Sequence, residues 1–84
     1  MKAAQWLERA LEELDGAKEY VALAYAEKNS APKLREMARQ ELQHGQNLFE
    51  MSRDAEYEDD DGTDDLVAKY AQCRATVKMM IDSM

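Results

Sequence analysis

The sequence predicts an all-α protein: a long antiparallel helical hairpin followed by a third helix. Three observations carry this reading. The 84 residues are rich in Ala, Glu, Leu, Lys, Arg and Met, which favour helix, and they include one Pro and three Gly. Apolar residues recur every three or four positions over three long stretches, the period of one helix face. Between those stretches lie Asn29-Ser30-Ala31-Pro32 and an acidic run from Asp54 to Asp65, both of which read as connections.

The first helix is predicted over residues 3–28. Its apolar stripe is Trp6, Leu7, Ala10, Leu11, Leu14, Ala17, Tyr20, Val21, Ala24 and Tyr25, with Glu8, Arg9, Glu12, Asp15, Lys18 and Glu27 mostly on the other side. Ser30 is a good N-cap and Pro32 suits a first turn, so a second helix is predicted over 31–55. With so short a connection the two helices must fold back on each other. The third helix is predicted over 64–83, capped by Thr63 or Asp61, with Asp64 and Asp65 complementing its N-terminal dipole. Its stripe of Leu66, Tyr70, Cys73, Val77, Met80, Ile81 and Met84 looks structural.

Composition narrows the function. A net charge of −7 weighs against nucleic acid and against anionic membrane surfaces. One cysteine excludes an internal disulfide framework and fits a reducing compartment. Glu8, Arg9 and Glu12 interrupt what would be the apolar core of a signal peptide, and no run approaches the roughly 18 apolar residues of a membrane span. The expectation is a soluble, cytoplasmic protein of one domain. A core this small gains from association with a second copy.

The stretch that suggests chemistry is Leu34 to Met51, where Leu34, Met37, Ala38, Glu41, His44, Gly45, Leu48 and Met51 form one stripe. Glu41 and His44, three residues apart, share a face inside a row that reads as buried. A buried lone carboxylate is costly, so it tends to be neutralised, paired or bound to a cation. On the first helix the row Trp6, Ala10, Glu13, Ala17, Tyr20, Ala24 contains one charge, Glu13. Counted outward from the turn near Ser30, Glu13 falls within about one turn, on the order of 5 Å, of His44. Glu19 lies beside that row and is the fallback. Together Glu13, Glu41 and His44 make a half-site for a transition metal.

Glu13-x-x-Gly16-x-x-x-Tyr20 followed by Glu41-x-x-His44 resembles the first half of the ferritin-like, rubrerythrin-type di-iron bundle. The likeness covers roughly residues 7–51. In size and overall look the chain is also similar to short ferritin-like proteins carried by bacteriophages and prophages. The family repeats its Glu and Glu-x-x-His in a second helix pair, but the third helix here carries no such motif. The resemblance therefore implies a homodimer, whose two hairpins complete a four-helix core with four carboxylates and two histidines. It implies iron, or manganese, with Glu41 bridging, Glu13 and His44 as terminal ligands, and Tyr20 as a hydrogen-bond partner to them. Carboxylates and imidazole without thiolate suit those metals better than structural zinc. The implied chemistry is Fe(II) oxidation or peroxide handling.

Competing readings are fewer. A calcium loop over the acidic connector fails: with Gly62 in the glycine place, Tyr57 and Ala68 would occupy the first and last ligand positions. Cys73 reads as a small core residue, and the six Met as packing. The alternative function is a metal-free helical module that uses the same fold as a dimerisation scaffold, with the connector and third helix as its working surface.

Overall fold

The computed structural model describes residues 2–55 and 62–84. Three helices account for nearly all of them: α1 (Ala3–Ala26), α2 (Ala31–Asp54) and α3 (Thr63–Asp82). A single 3-10 turn, Lys28–Ser30, joins α1 to α2.

The helix ends depart slightly from the predicted ones, and capping explains how. At the start of α1 the Gln5 side chain reaches back and accepts the Lys2 backbone N–H at 2.9 Å. α1 stops at Ala26, before the predicted Lys28, where Glu27 leaves helical geometry and its N–H donates to the Leu23 carbonyl at 2.7 Å. Ser30 does stand before α2 and Pro32 does sit in its first turn, but the Ser30 hydroxyl makes no cap bond. α3 begins one residue early because Gly62 serves as its N-cap in the left-handed region, φ 71°. Thr63 becomes the first helical residue and is buried. Asp61, the other expected cap, lies outside the described residues, as does most of the acidic connector. Asp64 and Asp65 stand in the first turn of α3 as expected.

α1 is the centre of the structure. Its buried residues are Ala3, Leu7, Ala10, Leu14, Ala17, Val21 and Ala24, spaced alternately three and four apart and at most 3% exposed. Four of the seven are alanine, so the α2 backbone can come close. It does so at Gly45, where an added Cβ would stand 3.3 Å from the Ala10 carbonyl oxygen and 3.5 Å from Leu14. Ala38 and Ser52 flank this contact on the same side of α2. α3 lies on the hairpin of its own chain, mainly against α1, and contributes Tyr70, Val77 and Ile81 to the core. The Tyr70 ring stacks on Phe49 of α2, with centroids 4.6 Å apart and planes 6° from parallel.

One sequence expectation needs correction here. The stripe from Leu34 to Met51 does not form a single buried face. Only Ala38 and Gly45 of it are buried; Met51 is 47% exposed, and Leu34, Met37 and Leu48 are half-buried. The physical reason is that α3 covers the other flank of the hairpin. The stripe thus splits into two rows about a quarter-turn apart, one facing α1 and one facing outward. On the outward row are Leu34, Met37, Glu41, His44, Leu48 and Met51, with Trp6, Glu13, Gly16, Tyr20 and Leu23 beside it on α1.

Two variants test this packing. Gly45→Val should destabilise the chain by about 2–3 kcal/mol, because a branched side chain meets the rigid Ala10 carbonyl; urea unfolding followed by circular dichroism measures it. Tyr70 is 2% exposed, and its hydroxyl has no partner among the described residues. Tyr70→Phe, which keeps the stacked ring, should therefore raise stability by about 1 kcal/mol in the same assay.

Candidate metal centre

Glu13 projects from the middle of α1, and Glu41 and His44 from the middle of α2. One donor atom of each lies within 4.8 Å of the other two. The close approach of the helices at Ala10 and Gly45 accounts for this, since it sets the level of α1 against α2. Glu13 and Glu41 are half-buried and His44 is exposed, so the group opens onto the flank that α3 leaves uncovered. Glu19, the fallback, is exposed and is not one of the three. Tyr20 is half-buried on the same row of α1, two turns or roughly 10 Å along the axis from Glu13.

The electrostatics suit a cation. Glu41 is held above the ordinary carboxylate range, chiefly by its side-chain hydrogen bond with Glu13. Burial and the negative charge of Glu13 push the same way, and His44 opposes them. Gly16 completes the setting: an added Cβ there would be 3.7 Å from Glu41 Oε2, so the glycine forms part of the floor beneath that carboxylate.

Does the set fit a metal? Donors bound to one divalent ion at about 2.1 Å stand roughly 3–4 Å apart, so the three need only small side-chain rotations to share one. Two hard carboxylates and an imidazole, with no thiol in the group, match iron or manganese. Three protein donors leave any such ion short of a full shell. Among the described residues, cavities of about 470 Å³ and about 400 Å³ lie away from the group, at the turn of residues 26–30 and between Phe49, Arg53, Tyr70 and Arg74. The three-residue group sits on an open face.

The comparisons agree with the fold. The family model described as Rubrerythrin matches residues 5–83, and the chain belongs to that family, which is ferritin-like and usually binds a pair of irons. No curated protein and no solved structure matches the chain. Among the described residues, no helix is long and apolar enough to cross a membrane.

Sequence reasoning named the three grouped residues but missed how open their surroundings are. The available signal was the strict alternation of three and four in Leu34, Met37, Glu41, His44, Leu48, Met51, which marks a contact seam in its own right.

The sign of the pH effect follows from Glu41. A carboxyl whose pKa is raised by folding contributes stability that is present at low pH and lost as pH rises through its folded value. Glu41→Gln should thus raise the melting temperature of the metal-free protein at pH 7, with the gain shrinking toward pH 4. An equal gain at both pH values would show that the Glu13–Glu41 pair is not the cause.

Proposed function

We propose that this chain is one half of a ferritin-like di-metal protein, with iron or manganese as the metal and a second copy supplying the other half of the centre. The observation that carries the proposal is the convergence of Glu13, Glu41 and His44 on the uncovered flank of the hairpin. Glu41 stands in the group with a partner on either helix, which suits a carboxylate shared between two ions. Glu13 and His44 then serve one ion each. Tyr20, one heptad along α1 from Glu13, is the residue we assign as a hydrogen-bonding partner at the edge of the centre. When bound, such a metal pair supplies one-electron redox chemistry, toward Fe(II) oxidation or peroxide reduction.

The residues themselves set the conditions for loading. Glu41 ligates only as a carboxylate, and folding holds it above the ordinary carboxylate range, so metal uptake strengthens as pH rises. The uncovered position of His44 leaves an entry path until a partner closes it. One half-buried thiol, Cys73, with no disulfide, suits a reducing compartment, and we place the protein in the cytoplasm.

Protein purified without chelator should contain iron or manganese by mass spectrometry. Glu41→Ala and His44→Ala should each lose the metal while keeping the helical circular dichroism. Fe(II) at about 100 times its Kd should stabilise the wild type by about 2.7 kcal/mol and both variants far less. Substoichiometric metal together with no Fe(II)-dependent rise in melting temperature would instead favour a metal-free scaffold.

A further inference from the structure

α3 packs mainly on α1, so its junction with α2 stays partly open. Along that junction lie two cavities, of about 400 Å³ and about 290 Å³, and Phe49 and Arg53 line both of them. Their walls differ in chemistry. The larger is faced by Arg53, Arg74, Gln46, Glu50 and Tyr70. The smaller has Ala3, Leu7 and Val67 in its wall and is mostly apolar.

Helix geometry explains how two guanidinium groups come to share one cavity. Arg53 stands four residues after Phe49 on α2, and Arg74 four residues after Tyr70 on α3. The stacked rings put Phe49 level with Tyr70, and Arg74 Nη2 donates to Gln46 Oε1 at 3.2 Å. Contacts that run up one helix while running down the other mark α2 and α3 as antiparallel. Helical side chains lean toward the N-terminus of their own helix. Arg53 and Arg74 therefore lean toward each other from opposite ends of the ring stack. Gln46 steadies the Arg74 guanidinium, and among the described residues no carboxylate pairs with either arginine. Against these two cations the wall sets the carboxylate of Glu50, so the cleft is net positive in a chain of net charge −7.

The Tyr70 hydroxyl supplies a separate observation. It is closed off from water and has no hydrogen-bond partner among the described residues. Arg74 and Glu50 both act electrostatically on it, which places it near the polar wall of the cleft. A buried hydroxyl without an acceptor is costly, and the oxygen of a bound anion would be an acceptor.

We propose that this cleft binds a small amphiphilic monoanion, a carboxylate with an unbranched apolar tail. The carboxylate sits between Arg53 and Arg74, whose guanidinium groups present paired N–H donors in the geometry a carboxylate accepts. One of its oxygens accepts the Tyr70 O–H. The tail passes Phe49 and Arg53, the two residues common to both cavities, and lies against Leu7 and Val67. A phosphate dianion fits less well, because Glu50 repels the second charge and the apolar half goes unfilled. The cavity volumes suit a ligand of moderate size. Nothing in this site uses Glu13, Glu41 or His44, so it stands apart from the di-metal reading.

Octanoate is the probe, titrated calorimetrically into the whole chain. One saturable site with a Kd of about 1 mM or tighter is expected. Acetate has the head alone and octanol the tail alone, and each should bind about tenfold more weakly or worse. Arg53→Gln and Arg74→Gln should each weaken octanoate by about tenfold, and Tyr70→Phe, which keeps the stacked ring, by about fivefold. Circular dichroism confirms that each variant keeps its helices. Arg39 is exposed and lines neither cavity, and Arg39→Gln should leave the affinity unchanged. Glu41→Ala should also leave it unchanged, which separates the cleft from carboxylate binding at a metal ion. No saturable octanoate binding, undiminished binding by the double variant Arg53→Gln with Arg74→Gln, or loss of binding in Glu41→Ala overturns the proposal. Inorganic phosphate that displaces octanoate at equal concentration overturns the choice of an amphiphile.

Discussion

The close packing of α1 on α2 is the constraint from which the rest follows. Ala10, Ala17 and Ala38 at 0% exposure, and buried Gly45, bring two backbones together with almost no side chain between them. Side chains that small leave little freedom for one helix to slide along the other, because a shift of one turn would drive Leu14 or Val21 into the place of an alanine. The level of Glu13 against Glu41 and His44 is therefore set by residues that perform no chemistry. Large-to-small freedom elsewhere, as in the methionines of α3, has no such consequence.

That packing also makes the hairpin two-sided. α3 takes the flank bearing Leu11, Leu14, Lys18 and Val21, where Lys18 Nζ comes within 4.0 Å of Cys73 Sγ, and turns that side into a finished core. The opposite flank keeps its apolar ends, Trp6, Leu23, Leu34 and Met51, partly in water, with a carboxyl pair and an imidazole between them. In the proposed dimer a second copy on this side would resolve both mismatches together, covering the apolar ends and adding donors to the three-residue group. A ferritin-like bundle sets four helices around its metals, and the Glu13, Glu41 and His44 group lies on two helices of this chain.

Much of this was legible in the residues because helix formation and amphipathicity are local. The three helices, their approximate ends and the turn at Asn29–Pro32 follow from periodicity and capping chemistry. Glu13 stood out for the same reason, as the one charge in an otherwise apolar or aromatic row. Gly62 as the N-cap of α3 was less legible: its left-handed φ depends on the path of the chain entering the helix, and Thr63 and Asp61 have better side chains for the role. The reading of residues 34–51 as one buried stripe failed for a related reason. Periodicity reports which side chains share an arc of the helix, but an arc wide enough to hold both Ala38 and Met51 can face two neighbours.

The residues alone determined an all-helical hairpin with a third helix, and which carboxylates and imidazole share a level, because spacing along a helix converts directly into direction and height. Tertiary structure decided which flank α3 occupies, and so left Glu13, Glu41 and His44 together on the open side, with Glu41 held above the ordinary carboxylate range chiefly by its hydrogen bond with Glu13. The side that α3 takes depends on the relative fit of two faces of one hairpin to a third helix. It is a comparison of whole surfaces, and no local pattern encodes it.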